Sequence, residues 1–456
     1  MRRSTPAALT TVLLAAGLAP LALSAPASAA VAKHYDDFNG DGYRDLAYAN
    51  AYSGSRGEGE DYWGGAVRVV YGTAHGLDTS HSRLVHQDSA GVPGTGEDDD
   101  QWGASLASGD LNKDGYADLV VGNPFEQVGG SSSYRGTVTV VWGSRTGLSG
   151  GTDLAPRSGA GQYFGSDLAV GDFTGDGSPD LAVIGGNEAW LYRGPFTKAG
   201  RTGTFSKIDK PDWNSAALTA GKVDGDGRTD LVVLGVQFYG SRIKERAWFL
   251  KGTASGLSSG PAKTLGDANN GLDPEAVIGD FDKNGYGDIA IGLPGLNGDK
   301  GAVTVWRGTS AGPSGSATYT QNTTGVPGTA ATGDVFGQSL SAADANGDGY
   351  ADLAVGVPGE NGAGGRNDQG GVTLFRGGPG GLSGARSSWI PQTVQGPAAA
   401  LASFGYAVRL RDLNRDGRAD LAIGSYEGGV LLPGTNTVPT ATGATVLPDF
   451  GSNLID

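Results

Sequence analysis

Short apolar runs, each bounded by aspartate and glycine, recur along the whole chain. Such a run follows an aspartate at 118–122, 180–184, 288–292, 352–356 and 420–424. Glycine makes up 82 of the 456 residues, and it allows the positive φ angles of tight turns without steric cost. Apolar runs of this length between turn signals are typical of buried strands, so the pattern predicts an all-β fold.

Each buried run lies between two further strand-like segments. The segment before it opens with an aromatic residue and Gly, at 102–106, 164–168, 336–340 and 404–408. The segment after it alternates apolar and polar residues, as half-buried strands do, at 136–142, 301–306 and 371–375. Three strong strands and a weaker fourth make up one propeller blade.

A nine-residue acidic loop separates the first two strands of each unit. The first loop reads DFNGDGYRD, and its six relatives follow at intervals of 50 to 73 residues. The seven loops span residues 37–45, 110–118, 172–180, 222–230, 280–288, 344–352 and 412–420. Seven units of about sixty residues predict one seven-bladed β-propeller of repeats over residues 31–456.

The two ends of the chain predict how the ring closes. The first acidic loop has no aromatic-Gly segment before it, whereas residues 450–455 read FGSNLI. We therefore expect this C-terminal segment to pair into the first blade as its missing strand. Pairing of this kind removes an open sheet edge.

The loops carry oxygen ligands at regular positions. With two departures, positions 1, 3 and 5 are Asp or Asn, while position 6 is Gly and position 9 is Asp in every loop. Alternate side chains and the position 7 carbonyl converge when the backbone curls at Gly, which suits the six to eight oxygens of calcium. The predicted metal ligands are Asp37, Asn39, Asp41, Tyr43, Asp45, Asp110, Asn112, Asp114, Tyr116, Asp118, Asp172, Thr174, Asp176, Ser178, Asp180, Asp280, Asp282, Asn284, Tyr286, Asp288, Asp344, Asn346, Asp348, Tyr350, Asp352, Asp412, Asn414, Asp416, Arg418 and Asp420.

The alternative is that these loops are ordinary turns, which Asp, Asn and Gly also favour. A turn has no need for three clustered carboxylates, which repel by ~1 to 4 kcal/mol per close pair without a cation. The loops hold 21 of the 48 acidic residues, so the net charge of −15 follows from the loops. Calcium is therefore the preferred interpretation.

Two loops depart from the pattern. Lys222 stands at position 1 of the fourth loop, which leaves Asp224, Asp226 and Asp230 as its acidic residues. We expect the Lys222 ammonium to replace the ion, the alternative being weakened calcium binding. Thr174 offers a hydroxyl at position 3 of the third loop. The expected content is about six calcium ions, or seven if the fourth loop also binds one.

The motifs resemble the FG-GAP repeats of the integrin alpha-subunit propeller family. The similarity rests on the aromatic-Gly strands, the acidic loops and Gly-x-Pro after the second strand, at 122–124, 292–294 and 356–358. It covers nearly all of residues 31–456 and implies calcium in the hairpin loops, with a ligand surface on the longer loops. We expect a bacterial, secreted member, and the resemblance names no ligand, because fold alone does not carry function.

The N-terminal residues predict export. Residues 1–30 combine Arg2 and Arg3, an apolar stretch and small residues, the pattern of a signal peptide cleaved near Ala29 or Ala30. No segment reaches the ~20 apolar residues of a membrane-spanning helix. Cysteine is absent, which excludes disulfides and thiolate chemistry. We expect a secreted, extracellular monomer without a membrane span, and an acidic chain without a basic stripe is not expected to bind nucleic acid.

The sequence holds no catalytic motif. The four histidines, His34, His75, His81 and His86, match no zinc-protease spacing and are expected in solvated loops. The acidic run at 97–100 is expected to be a solvated face. A carboxylate pair on the propeller face would instead indicate a hydrolase or lyase that acts on polysaccharide.

Binding is therefore the predicted role. Aromatic residues at strand ends, Trp63, Trp142, Trp190, Trp248 and Trp306, are expected to pack between blades, the alternative being sugar stacking. Long Gly-rich loops at 54–63, 92–101, 326–334 and 359–369 are the expected ligand loops. We expect a calcium-dependent extracellular binding or adhesion module for a protein or glycan. The alternatives are the hydrolase or lyase and a non-catalytic structural protein.

Overall fold

A computed structural model describes most of the chain from residue 32 onwards. The described residues are 32–50, 64–97, 100–128, 133–154, 161–208, 210–240, 242–267, 274–397, 399–426, 428–448, 450 and 453–454. The predicted signal peptide, Trp63 and the loop 54–63 lie outside these residues. In the described chain, 28 strands form seven antiparallel sheets of four strands each.

The strands follow one another blade by blade. The first three blades contain β28 (Asn453–Leu454), β1 (Leu46–Asn50), β2 (Ala66–Thr73) and β3 (Gly76–Val85); β4 (Ser105–Gly109), β5 (Asp118–Asn123), β6 (Thr137–Val141) and β7 (Gly151–Leu154); and β8 (Asp167–Gly171), β9 (Asp180–Gly185), β10 (Glu188–Tyr192) and β11 (Phe205–Ile208). The fourth and fifth contain β12 (Trp213–Gly221), β13 (Asp230–Tyr239), β14 (Arg242–Thr253) and β15 (Gly256–Asp267); and β16 (Glu275–Gly279), β17 (Asp288–Gly292), β18 (Val303–Trp306) and β19 (Ser316–Tyr319). The last two contain β20 (Leu340–Ala343), β21 (Asp352–Val357), β22 (Gly371–Phe375) and β23 (Ser387–Pro391); and β24 (Ala407–Arg411), β25 (Asp420–Ser425), β26 (Gly428–Leu432) and β27 (Thr445–Leu447).

The first strand of each sheet lies innermost. The strands β4, β8, β12, β16, β20 and β24 each contact the next in that order, and β28 contacts both β24 and β4. This closed cycle is a seven-bladed β-propeller, which confirms the predicted fold. The second strand of each blade is buried on both faces, which explains its continuous apolar sequence.

The predicted ring closure is also confirmed. Strand β28 pairs antiparallel with β1, where Tyr48 lies opposite Leu454 and Ala49 opposite Asn453. The first blade thus takes its innermost strand from the other end of the chain, and its edge is paired. Phe450 lies 5.0 Å from the ring of Tyr48, centroid to centroid, and is buried.

The core consists of apolar clusters between neighbouring blades. The aromatic residues of the aromatic-Gly segments, Trp102, Phe164, Phe336 and Phe404, are fully buried there. Burying one such side chain contributes roughly 1.5 to 3 kcal/mol. Trp142, Trp190, Trp248 and Trp306 are 3 to 7% exposed, so packing between blades is confirmed for these four.

Helices contribute little to the described chain. They are α1 (Leu296–Asp299) and two 3₁₀ turns at Gly384–Arg386 and Gln392–Val394. None of the helices among the described residues is long and apolar enough to cross a bilayer. The fold is therefore built from blades, and the loops between strands form its two faces.

Candidate metal centres

The seven acidic loops lie on one face of the ring. Six of the loops connect the innermost strand of a blade to its second strand, and the first loop leads into β1, the second strand of the first blade, which pairs with β28. The innermost strands run in the same direction along the central axis, so all seven loops leave the ring at the same end. We call this end the acidic-loop face and the other end the opposite face.

Backbone curvature turns the oxygens of each loop inward. In the first loop, Gly40 and Gly42 have φ angles of 71° and 89°. Asp37 accepts backbone N–H bonds from Asp41 and Gly42 at 3.1 and 2.8 Å, and Tyr43 donates to Asp41 at 2.9 Å. The same bonds recur around Asp110, Asp172, Asp280, Asp344 and Asp412. In these six loops the structure brings the predicted ligands of positions 1 and 5 together.

The aspartate at position 9 fastens each loop to the blade. Asp45 Oδ2 accepts the N–H of Phe38 at 2.8 Å, and its Oδ1 accepts the N–H of Gly72, near the end of the third strand, at 2.9 Å. A Cβ on Gly72 would lie 2.1 Å from the carbonyl oxygen of Arg44, so only glycine allows this approach. The equivalent Oδ1 bonds join Asp118 to Gly143, Asp180 to Gly194, Asp230 to Gly252, Asp288 to Gly308, Asp352 to Gly377 and Asp420 to Gly434.

These buried carboxylates are poorly compensated by the protein. Burial, with the other aspartates of the same loop adding to it, raises the pKa of Asp45 and of Asp118 to about 8. The same causes raise the pKa to about 6 in Asp180, Asp288, Asp352 and Asp420. Asp180 Oδ2 is buried and accepts no hydrogen bond among the described residues. A bound cation would favour the ionised form of these groups.

The donor set suits calcium better than other metals. Carboxylate, amide, hydroxyl and carbonyl oxygens are hard ligands, and six of the loops supply several of them at once. The donor types suit a divalent cation in these six loops, but among the described residues no loop brings its three acidic side chains within 4.8 Å of one another. Position 12, where an EF-hand has Glu, already lies in the second strand as Tyr48, Val121 or Ile291.

The fourth loop holds a cation of its own, and it is not the expected one. The Lys251 ammonium contacts Asp224 Oδ2 and lies 3.1 Å from Asp226 Oδ2. Hydrogen bonding to Asp224 raises the pKa of Lys251. Lys222 is exposed, forms no ion pair among the described residues and lines the central cavity. An ammonium therefore lies at the carboxylates of the fourth loop, as expected, but it belongs to Lys251, and the prediction of Lys222 is wrong.

Lys251 could have been found from the blade register. It immediately precedes Gly252, the glycine near the end of the third strand whose N–H donates to the position 9 aspartate. The equivalent residue is Arg193 in the third blade, 3.8 Å from Asp176, and Arg307 and Arg376 in the fifth and sixth. A basic residue at this position therefore lies beside the loop of its own blade, although some 25 residues separate them in sequence.

Neighbouring loops contact each other around the face. The N–H at position 8 donates to the position 1 carbonyl of the preceding loop at 2.8 to 3.1 Å in five loop pairs. Pro179 has no N–H, so the third loop cannot make this bond to the second. Side chains add to the contacts, since Lys283 lies over the ring of Tyr350 and Arg415 over that of Tyr43. The loops therefore form a connected belt.

The acidic run at 97–100 differs from the expectation. Asp98 and Asp99 lie outside the described residues, but Asp100 is 2% exposed rather than solvated. Carboxylate oxygens of Glu97, Asp100 and Glu126 lie within 4.8 Å of one another. Burial and the charge of Glu97 raise the pKa of Glu126, although the hydrogen bonds that it accepts from Gln87 and Asn123 act in the opposite direction.

The remaining candidates from the sequence are a histidine and a possible catalytic carboxylate pair, and they lie in different places. The exposed His81 pairs with Asp78 at 2.7 Å, as a solvated histidine can. Asp167 and Glu275 both line the cavity at the opposite face, where a catalytic carboxylate pair was an alternative. The two oxygens of Asp167 accept the backbone N–H groups of Leu168 and Leu218 at 2.9 and 2.6 Å. That carboxylate is thereby bound to the backbone.

Fold and loops together define a seven-bladed β-propeller with an Asp-rich hairpin in every blade. The FG-GAP repeat model matches residues 102–141, 336–375 and 404–445, and the FG-GAP-like repeat model matches residues 172–233. The chain thus contains FG-GAP and FG-GAP-like repeats, and it is similar to the integrin alpha-like β-propellers.

Similar proteins include integrins and a phospholipase. Integrin alpha-8 of Gallus gallus is 26% identical over 287 residues, which are 55% of this chain and 25% of that protein. Integrin alpha pat-2 of Caenorhabditis briggsae is 29% identical over 306 residues, 60% and 24% of the two chains. Phosphatidylinositol-glycan-specific phospholipase D of Rattus norvegicus is 29% identical over 230 residues, 48% and 25% of the two chains. The chain thus spans about a quarter of the length of these relatives.

Among solved structures, the Dos1 propeller aligns with a TM-score of 0.43 at 11% identity. The alignment covers 81% of this chain and 78% of that chain.

Proposed function

We propose that the chain is a secreted, calcium-stabilised binding module for an extracellular protein or glycan. The observation that carries the proposal is the contrast between the fourth loop and the other six. The loop without an acidic residue at position 1 receives the Lys251 ammonium between two of its carboxylates. The other six keep the acidic residue, and all seven loops, the fourth included, bury a position 9 carboxylate whose charge burial disfavours. Six ions, one in each of the other six loops, would supply the missing positive charge.

Calcium would stabilise the folded state in this proposal. The side chains at positions 1, 3, 5 and 9 and the carbonyl at position 7 would hold the ion. Because the position 9 carboxylate also binds the loop to the third strand, the ion would stiffen the corner between loop and blade. Binding that is confined to the folded state adds about 2.7 kcal/mol per site at a concentration 100 times the dissociation constant.

Ligand binding is assigned to the opposite face. The long loops between second and third strands, and between one blade and the next, leave the ring there. Loops held by a rigid scaffold are common sites of recognition. The integrin relatives match through the same repeats, which supports a binding role, while the phospholipase relative is matched over a quarter of its length.

The decisive experiment measures calcium binding and stability together. The full chain, freed of metal, is titrated with calcium by isothermal titration calorimetry, and its melting temperature is recorded with and without calcium. Six bound ions and a large rise in melting temperature are expected. Absence of bound calcium would reduce the loops to turns and remove the basis of the proposal.

A further inference from the structure

A pocket of about 460 Å³ opens on the sixth blade at the opposite face. Two of the predicted ligand loops meet there. The loop 326–334 contributes Pro327 and Gly328, and the loop 359–369 contributes Glu360 and Arg366. Strand β23 supplies Trp389 between them. The pocket is thus assembled from segments of two successive blades that are far apart in sequence.

Trp389 gives this pocket a flat aromatic surface. The side chain is half-buried, and a Cβ on Gly371 would lie 2.0 Å from its indole ring. The ring therefore rests on the bare backbone of the third strand, which fixes its plane. The indole N–H forms no hydrogen bond among the described residues. The ring packs partly against the core cluster between the fifth and sixth blades, and its half-buried state distinguishes it from Trp142, Trp190, Trp248 and Trp306, which are 3 to 7% exposed.

The aromatic surface is a local feature of this blade. In the sixth blade Trp389 lies opposite Thr373, whereas in the second blade the same register places Asp153 opposite Thr139. The two blades otherwise share their loops, since Gln87 and Gln321 both donate to a glutamate, Glu126 or Glu360. Blade packing alone therefore does not require tryptophan at this position.

An acidic, a basic and an amide side chain border the tryptophan. Glu360 accepts a hydrogen bond from the buried Gln321, and burial raises the pKa of its carboxyl. Arg366 donates to the carbonyl of Ala363 and forms no ion pair among the described residues. Gln369 is 7% exposed and donates to Gln392 at 3.0 Å, which fixes its amide. The pocket thus offers a held carboxylate, a guanidinium and an amide beside an apolar plane.

This combination indicates the chemical class of the occupant. Small-molecule sites are concave and largely apolar, with a few placed polar groups, and their volumes begin near ~300 Å³. A sugar ring has a C–H face that packs on an aromatic plane, and hydroxyls at its edge that donate and accept hydrogen bonds. We propose that this pocket binds one or two units of an uncharged oligosaccharide. The proposal rests on the proposed function, of which it names the ligand class and the site.

The test uses the full chain in calcium with soluble probes. Cellohexaose, maltohexaose, xylohexaose and chitohexaose are titrated by calorimetry, and binding of at least one is expected. Trp389→Ala should weaken that binding at least tenfold, and Arg366→Ala, at an exposed site, should weaken it severalfold. Tyr426→Ala removes a 71% exposed aromatic residue on the same face and should leave binding unchanged.

Each outcome separates this inference from the proposed function. If none of the four probes binds, or if Trp389→Ala binds as the unaltered chain does, the saccharide pocket is wrong. The calcium-dependent melting temperature of every variant reports on the fold, and Trp389→Phe, which keeps a ring, should retain part of the binding. If the unaltered chain shows no calcium effect, the proposed function fails independently.

Discussion

The hydroxyl of Tyr48 donates a hydrogen bond of 2.8 Å to the carbonyl oxygen of Pro448, 400 residues later in the chain. Tyr48 is 1% exposed and lies in the strand that β28 completes. The bond therefore joins the two ends of the ring at a site from which water is excluded. Closure depends on this contact, on the Tyr48 and Phe450 rings, and on a strand of two residues.

Loss of the hydroxyl should weaken closure measurably. Tyr48→Phe is expected to lower the free energy of unfolding by about 1 kcal/mol, because the carbonyl of Pro448 loses its donor. Removal of residues 453–456 should lower it further, since an edge of the first blade is then unpaired. Thermal and urea unfolding measure both effects, and Tyr426→Phe at an exposed site is the control. Unchanged stability after the truncation would contradict the importance of the closing strand.

The proposed calcium sites differ in a way that single substitutions can expose. Asp280→Asn removes the position 1 carboxylate of the fifth loop, which accepts two backbone N–H bonds. The bound calcium should fall from six ions to five, or that site should weaken at least tenfold, ~1.4 kcal/mol. Asp226→Asn in the fourth loop is the matched control and should not change the count. Equal effects of the two substitutions on calorimetric stoichiometry would contradict the distinction.

Lys251 should stabilise the fourth loop without metal. Lys251→Met is expected to cost ~1 to 3 kcal/mol in calcium and without it, because the buried Asp224 loses its donor. Lys263→Met, on the next strand of the same blade, should have little effect. A double substitution, Lys222→Asp with Lys251→Met, restores an acidic position 1 and should add a calcium ion. A stability loss in Lys251→Met that calcium repairs in full would show that an ion already binds there.

The calcium-free protein should become less stable as pH rises. Folding raises the pKa of Asp45 and Asp118 from the ordinary 3.8 to about 8, since burial disfavours their charge. The stability that their protonated forms contribute is therefore fully present below about pH 4 and is lost as pH rises to about 8. Calcium binds the ionised form, so its stabilising effect should grow over the same interval. Melting temperatures of metal-free and calcium-loaded chain between pH 5 and 8 measure both slopes, and parallel slopes would contradict the assignment.

The fold was predictable because its signals are local and repeated. An aromatic-Gly strand, an acidic loop and an apolar run occur in the same order in each blade, so seven copies define the ring. The closing strand followed from the aromatic-Gly segment at 450–451 and its absence before the first loop. Packing of Trp142, Trp190, Trp248 and Trp306 followed from their positions at strand ends.

Residues set by contacts across a blade were not predictable in this way. The pairing of Lys251 with Asp224 depends on the register between the third strand and the loop, whereas Lys222 is the first residue of the loop itself. Burial of Asp100 depends on how loops from successive strands meet above the blade. Trp389 was not predicted, because it lies in the fourth strand, whose sequence pattern is weak. Its contact with Gly371 depends on the pairing of two strands and is not encoded in the local sequence.

The position 9 aspartate accepts two backbone hydrogen bonds, so its presence in a loop does not by itself indicate a bound ion. Asp230 persists in a loop that holds an ammonium, because its oxygens still accept the N–H groups of Val223 and Gly252 at 2.9 Å. In the proposed calcium-binding module, the position 9 aspartate would therefore be present in a loop without an ion. The number of terminal aspartates, seven, would exceed the six proposed ions, and the residue at position 1 would distinguish the two kinds of loop.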